Sequence, residues 1–138
     1  MLVVLAIVGI VTALTLPTFD RLFADSLQHD AEAVDDLLSQ ARILAVSENA
    51  TVEVRVNVAT GSIEAERLGA QHNLSAETTV ELVTARSQVE SGDVGRILFY
   101  PDGASSGAQL ILRESDRTTA ITIHWLTGKI QMETVDGG

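Results

Sequence analysis

The chain has 138 residues, which is enough for one domain with a hydrophobic core and too few for two ordinary domains. Its 19 acidic and 9 basic side chains give a formal net charge of -10, which disfavours binding to nucleic-acid phosphates and anionic lipid headgroups. The absence of cysteine excludes disulfides, thiolate metal sites and thiol nucleophiles.

Residues 1–16 form an uncharged apolar run, MLVVLAIVGIVTALTL, which is followed by Pro17. A helix that is apolar on every face needs lipid or protein all round it, and a chain of this size has little protein for that purpose. A cleaved signal peptide is disfavoured, because no basic residue precedes the run and no small-x-small site follows it. The run therefore predicts a helix that lies in a membrane or among similar helices. Gly9 is expected to allow close approach of a neighbouring helix.

After Pro17 the pattern becomes that of an amphipathic helix. The apolar positions, which recur at spacings of three and four, are Phe19, Leu22, Phe23, Leu27, Val34, Leu37, Leu38, Ala41, Leu44 and Ala45. The charged positions between them, which we predict to face solvent, are Asp20, Arg21, Asp25, Asp30, Glu32, Asp35, Asp36 and Arg42. We predict one helix from Met1 to about Glu48, bent near Pro17, because proline removes a helical hydrogen bond. Such a helix would be ~70 Å long, so its first half must project from the domain.

From Thr51 onward the sequence alternates apolar and polar side chains, which is typical of half-buried strands. The predicted strands are Val52 to Val58, Ile63 to Glu66, Thr78 to Ala85, Arg96 to Tyr100, Gln109 to Arg113, Thr119 to Leu126 and Lys129 to Glu133. The segments Gly69 to Glu77 and Arg86 to Asp93 have no clear period and are predicted to be loops. The whole pattern predicts an α+β fold, in which one long N-terminal helix packs on a C-terminal antiparallel sheet domain.

The strand that ends at Trp125 and Leu126 has apolar residues on both of its faces. This pattern predicts a buried central strand, one face of which covers the second half of the helix. The turn that follows, from Leu126 to Lys129, contains glycine and predicts a tight hairpin.

Few side chains are arranged for chemistry. His29, His72 and His124 lie in three different predicted elements, and no pair has the close spacing of a local zinc site. Ser105 and Ser106 lie in a serine- and glycine-rich loop with no base at a fixed spacing, so a nucleophilic role is disfavoured. A calcium site involving Asp93 or Asp102 is left open, because carboxylates and loop carbonyls suit that ion. The sequence therefore predicts neither an enzyme nor a cofactor.

Pro101-Asp102-Gly103 predicts a turn, in which proline sets φ, aspartate bonds the following backbone and glycine takes a positive φ. A second interpretation is that the loop from Asp102 to Gly107 is a contact or register element.

Two stretches resemble a known family. Leu2 to Ile10, LVVLAIVGI, followed by Leu16-Pro17, resembles the N-terminal helix shared by type IV pilins and type II secretion pseudopilins. In that family the helix follows a prepilin-peptidase site and a short stretch that ends in glutamate, which would fall immediately before Met1. We therefore expect Met1 to be an internal methionine of a longer precursor.

The second stretch is ILFYPDGASSGA, from Ile97 to Ala108, together with LTGKI, from Leu126 to Ile130; both resemble the GspH/FimT pattern. The residues of this loop and turn that carry the resemblance are Pro101, Asp102, Gly103, Gly107, Thr127 and Gly128. The resemblance implies a bacterial inner-membrane subunit with residues 1–24 in the membrane or filament core and residues 25–138 as a periplasmic pilin-like domain. It implies other pseudopilin or pilin subunits as partners, contacted through the N-terminal helix, and no reaction, cofactor or small-molecule substrate.

The first hypothesis is thus a minor pseudopilin of the type II secretion system, near the tip of the periplasmic pseudopilus. A FimT/FimU-like minor pilin of type IV pili is the close alternative; its DNA-uptake members would need a basic patch, whereas the tail from Thr134 to Gly138 is acidic. A membrane-anchored periplasmic binding module is a third hypothesis, and it would require a deep apolar pocket.

Overall fold

The computed structural model describes residues 26–85 and 88–136 of the chain. Helix α1 covers residues 26–48 of the described part, and the other regular elements are strands and one short 3-10 helix. The prediction of a helix up to about Glu48 is confirmed over these residues. The bend at Pro17 and the packing role of Gly9 lie outside the described residues.

The buried stripe of α1 follows the predicted spacing of three and four. Its members are Leu27, Ala31, Val34, Leu38, Ala41 and Ala45, each at most 1% exposed. Asp30 was predicted to face solvent, but it is buried and only 1% exposed. Burial is tolerated because the Asp30 carboxylate has hydrogen-bond partners in the sheet domain, His72 and Ser75.

In the described residues, eight strands form two four-stranded antiparallel sheets. Sheet 1 has the order β3-β2-β1-β5 and consists of β1 (Val52–Asn57), β2 (Ser62–Ala65), β3 (Ala70–Asn73) and β5 (Val94–Phe99). Sheet 2 has the order β4-β6-β7-β8 and consists of β4 (Thr79–Val83), β6 (Ala108–Glu114), β7 (Arg117–Ile123) and β8 (Ile130–Asp136). The α+β fold predicted from the sequence is confirmed.

The inner faces of both sheets and the stripe of α1 share one hydrophobic cluster. Cross-strand register aligns the apolar sets, since Val52 faces Phe99 in sheet 1 and Leu110 faces Ile121 in sheet 2. Each fully buried Val, Leu, Ile or Phe contributes about 1.5–3 kcal/mol to folding. Among the described residues, Phe99 is the one aromatic residue in the set of largest fully buried side chains, so aliphatic packing dominates this core.

Two sequence-based predictions about the strands were wrong. The segment Gly69 to Glu77, predicted to be a loop, contains β3, which pairs with β2 along its whole length. β3 has little apolar alternation because it is a short edge strand that is half-exposed or exposed throughout. The strand predicted to run to Leu126 ends at Ile123, and Trp125 and Leu126 lie in the following turn, each 67% exposed.

Candidate subunit-contact site

The Pro101-Asp102-Gly103 segment forms the predicted turn. The backbone N–H of Gly103 donates to the carbonyl of Tyr100 at 2.9 Å, and the Asp102 carboxylate accepts from the N–H of Ala104 at 3.0 Å. Gly103 has φ +89°, a conformation that glycine adopts without the steric cost of a Cβ. The Asp102 side chain therefore stabilises the turn itself.

Ser105 and Ser106 join the two sheets where the chain passes from one to the other. The Ser105 hydroxyl donates to the carbonyl of His124 at 3.1 Å, at the end of β7. The Ser106 hydroxyl accepts from the N–H of Leu98 in β5 at 3.0 Å. Ser106 thus gives the N–H of Leu98 an acceptor, whereas Ser105 is a second donor to the His124 carbonyl, which also accepts from the N–H of Gly128. This linking role was not predicted, because a loop sequence does not show which strand it will meet.

The second motif meets the first at Gly128. Gly128 has φ +67°, and a Cβ added there would overlap the carbonyl oxygen of Gly103 and lie 2.8 Å from Nε of Arg42. Glycine is therefore required for both its conformation and its lack of a side chain. Gly107 is the remaining glycine of the first motif. It packs against Trp125 in the turn after β7, where an added Cβ would lie 3.1 Å from Cβ of Trp125.

Arg42 of α1 binds both motifs. Its Nε donates to the carbonyl of Gly103 at 3.0 Å, and its Nη2 donates to the carbonyl of Thr127 at 2.8 Å. Charge-assisted bonds of this kind are stronger than neutral ones. The sequence placed Arg42 on the solvated face of the helix, and nothing in its spacing indicated that its partners are two loop carbonyls.

Shallow depressions flank Arg42 on both sides. One, of about 450 Å³, is lined by Ile43, Val46 and Asp102 together with Gly103. The other, of about 470 Å³, is lined by Ser39, Ile43 and residues 127–130. Ile43 and Val46 are 64% and 51% exposed, and both line the first of these depressions. We call the area formed by Arg42, Ile43, Val46, Asp102 and Thr127 the clasp surface.

The structure thus brings five of the predicted site residues to one junction, which are Pro101, Asp102, Gly103, Thr127 and Gly128. Gly107 lies against the adjoining turn. Whether these residues contact another subunit stays a prediction at this point.

The titratable groups provide a structural link rather than a ligand site. Nε2 of His72 lies 2.9 Å from Oδ1 of Asp30, and the N–H of Ser75 donates to Oδ2 at 3.0 Å. Burial raises the pKa of Asp30, but the hydrogen bonds from Ser75 and His72 lower it below its ordinary value. Asp30 therefore fastens α1 to β3 and to the loop after it.

Within residues 26–85 and 88–136, no group of three or more His, Cys, Asp or Glu side chains is placed to hold a metal ion. The ring centroids of His29 and His72 are 6.4 Å apart, whereas His124 bonds Gln131 in sheet 2. A depression of about 420 Å³ on sheet 1 is lined largely by charged side chains such as Glu53, Arg55 and Glu64. None of the helices in the described part of the chain combines the length and the apolar character needed to cross a membrane.

The fold has relatives among solved structures. The minor pseudopilin EpsH from the type 2 secretion system of Vibrio cholerae matches with a TM-score of 0.63 and 12% identity, over 79% of this chain and 97% of that chain. The type IV minor pilin FimU of Pseudomonas aeruginosa matches with a TM-score of 0.60 and 16% identity, over 80% of this chain and 90% of that chain. No curated protein sequence matches this chain.

The family model described as type II transport protein GspH matches residues 30–127. This range begins at the buried Asp30, includes α1 from there onward and most of both sheets, and ends at Thr127, whose carbonyl accepts from Arg42. The match therefore covers the junction described above except for Gly128, and the chain belongs to the GspH family of type II transport proteins.

Proposed function

We propose that this chain is a structural minor pseudopilin of a type II secretion system, which assembles near the tip of the periplasmic pseudopilus and helps to drive protein export across the outer membrane. The observation that carries this proposal is the GspH family match over residues 30–127. The subunit would contribute shape and packing, while other proteins supply the ATP-driven work. Its direct partners would be neighbouring pseudopilin subunits.

The apolar run at residues 1–16 supports a seat in the inner membrane before assembly and in the filament core afterwards. The clasp surface supports a contact further from the membrane. It lies toward the C-terminal end of α1, whereas the apolar run joins the domain at the N-terminal end. A neighbouring subunit that contacts the C-terminal end of α1 would bury Ile43 and Val46, and burial of such side chains stabilises an interface.

A minor pilin of type IV pili is the second candidate, favoured by the similarity to FimU. A DNA-binding role within that group is disfavoured by charge. Four arginines, Arg55, Arg67, Arg96 and Arg113, already pair with glutamates, and the net charge is -10. Phosphate binding needs cations that are free to replace counterions.

Deleting the gene in the bacterium that encodes it separates the two candidates. The expected result is that proteins normally exported by the type II system accumulate in the periplasm while surface pili remain. Loss of pili with normal export would show instead that the chain is a minor pilin.

A point variant tests the clasp surface in the same strain. Ile43→Glu places a charge at the proposed contact and should lower export, because a buried unpaired carboxylate is costly. Val83→Glu is the matched control, since Val83 is 51% exposed and lies on β4, which does not contribute to the clasp surface. Equal export by the two variants would contradict a contact at Ile43.

A further inference from the structure

Strand β8 is the longest strand at an edge of either sheet. The outer strands are β3 with 4 residues, β4 with 5, β5 with 6 and β8 with 7. The edge of β5 is partly covered, because Gly95 and Phe99 form bridges with Val89 and Ser105. Among the described residues, β8 pairs with β7 and with no other strand. Its second edge is therefore the largest open row of backbone groups in the described sheets.

The geometry of the hairpin shows which groups point to that open edge. The N–H of His124 donates to the carbonyl of Lys129 at 3.0 Å, and the same register pairs Ile123 with Ile130. Hydrogen-bonded and non-hydrogen-bonded pairs alternate along an antiparallel ladder. The residues of β8 that direct backbone N–H and C=O groups away from β7 are consequently Ile130, Met132, Thr134 and Asp136.

Apart from its acidic residues, β8 lacks the usual protection of an edge strand. It contains no proline, no lysine and no bulge in its seven paired positions. Apolar side chains are accessible on both of its faces, since Met132 is 43% exposed and Val135 on the opposite face is 56% exposed. Such a strand is suited to receive another extended segment.

The charge at the centre of β8 indicates what that segment carries. Glu133 faces Ala120 of β7 and forms no ion pair with a described residue. On the other edge strand of the same sheet, by contrast, Glu81 pairs across strands with Arg113 at 3.0 Å. A cation opposite Glu133 would therefore have to come from the incoming segment. Glu133 would form a non-hydrogen-bonded pair with it, in which side chains are closest.

A second copy of this chain is a poor occupant. Full-length antiparallel pairing of two β8 strands would place Glu133 directly opposite Glu133, because it is the middle residue of Ile130–Asp136. Like charges in directly opposed positions destabilise a strand pair, and each copy has a net charge of -10.

We infer that the open edge of β8 binds an extended segment of a different subunit by strand addition, with a lysine or arginine opposite Glu133 and apolar side chains beside Met132 or Val135. The identification of the occupant as another subunit rests on the proposed function. The strand-addition chemistry itself rests on the edge, its exposure and its charge.

The test uses the full chain in detergent micelles and two labelled peptides of about nine residues. Both alternate threonine and valine; one has lysine at its centre and the other has glutamate. The lysine peptide should bind about fivefold more tightly in fluorescence anisotropy, and Glu133→Lys should reverse that preference. Binding should slow amide hydrogen exchange at Met132 and Thr134. Equal affinity for the two peptides, or protection confined to other residues, would overturn the inference.

A backbone variant separates strand addition from side-chain attraction. Thr134→Pro removes an N–H that does not bond β7, whereas Thr134→Ala keeps it and loses the same hydroxyl. The proline variant should bind the lysine peptide about fivefold more weakly than the alanine variant. Equal binding by the two folded variants would contradict strand addition. If Thr134→Pro unfolds, the peptide preference of Glu133→Lys, a charge reversal at an exposed side chain, decides. The peptide-binding result does not depend on the result of the gene deletion. If the lysine peptide binds as expected but the deletion removes pili and leaves export normal, strand addition stands and the partner would be a pilin subunit.

Discussion

Replacing Gly128 with alanine tests whether the two motifs are held together by close packing. The new Cβ would overlap the carbonyl oxygen of Gly103 and lie 2.8 Å from Nε of Arg42. To make room, the turn must move away from the loop, which would stretch the 2.8 Å bond from Arg42 to the Thr127 carbonyl. The expected result is a loss of stability larger than the backbone conformation alone explains.

Gly69→Ala supplies the control for that conformation. Gly69 has φ +65° and Gly128 has φ +67°, but an added Cβ at Gly69 meets no heavy atom within 4 Å. Alanine in this region costs ~1–2 kcal/mol, and a less flexible unfolded chain offsets about 0.4–1 kcal/mol of that in both variants. Only Gly128→Ala adds an overpacking cost of ~1–3 kcal/mol. The difference between the variants should therefore be ~1–3 kcal/mol.

Urea unfolding of both variants, followed by circular dichroism, measures that difference. Gly128→Ala should also speed amide exchange at Gly103, whose N–H bonds the carbonyl of Tyr100 within the Pro101-Asp102-Gly103 turn. If the two alanine variants lose equal stability, the close contact between Gly103 and Gly128 does not contribute to the free energy of unfolding. The junction then cannot be a rigid support for the clasp surface.

Three further predictions concern the helix. Arg42→Met keeps the apolar part of the side chain but loses both hydrogen bonds to the loops, so it should lower the free energy of unfolding in urea by ~1–3 kcal/mol. Arg67→Met is the control, because it breaks only an exposed ion pair with Glu48 and should change that free energy by less than about 0.5 kcal/mol. The lowered pKa of Asp30 means that the unfolded state binds its proton first as pH falls; stability should therefore decline below about pH 4, and Asp30→Asn should flatten that decline in a pH series. Removing residues 1–24 should leave a soluble, monomeric domain with a cooperative thermal melt, because the described helix and sheets already share one core; an unfolded product would show that the removed residues belong to the core.

Periodicity in the sequence predicted the helix and most of the strands because burial alternates with the geometry of each element. The stripe of α1 and the alternating burial of β1 are examples of this relation. β3 could not be found in this way, since an edge strand with half-exposed or exposed side chains has no apolar pattern. Trp125 misled the prediction, because an aromatic residue after two buried isoleucines continues the strand pattern into an exposed turn.

The candidate site was predictable only in part, for a physical reason. Turn residues such as Gly103 and Gly128 carry a local signal, since their backbone conformations exclude other side chains. Arg42 and Asp30 carry none, because their partners are backbone groups or side chains that are distant in sequence. Their hydrogen bonds depend on how the helix is placed against the sheets, which no spacing within the helix encodes.

The two motifs in the second half of the chain have one physical explanation. The carbonyl of Gly103 packs on Gly128, and Arg42 donates to both loops, so the C-terminal part of α1 is fixed to the sheet domain. Near the start of the described helix, the hydroxyl of Ser26 donates to the carboxylate of Glu114 at 2.6 Å. A helix bonded to the sheet domain at Ser26, Asp30 and Arg42, and packed on one core between them, moves with the domain as a unit. Displacement of α1 along its axis would then reposition the clasp surface directly, which the proposed assembly of subunits into a filament would require.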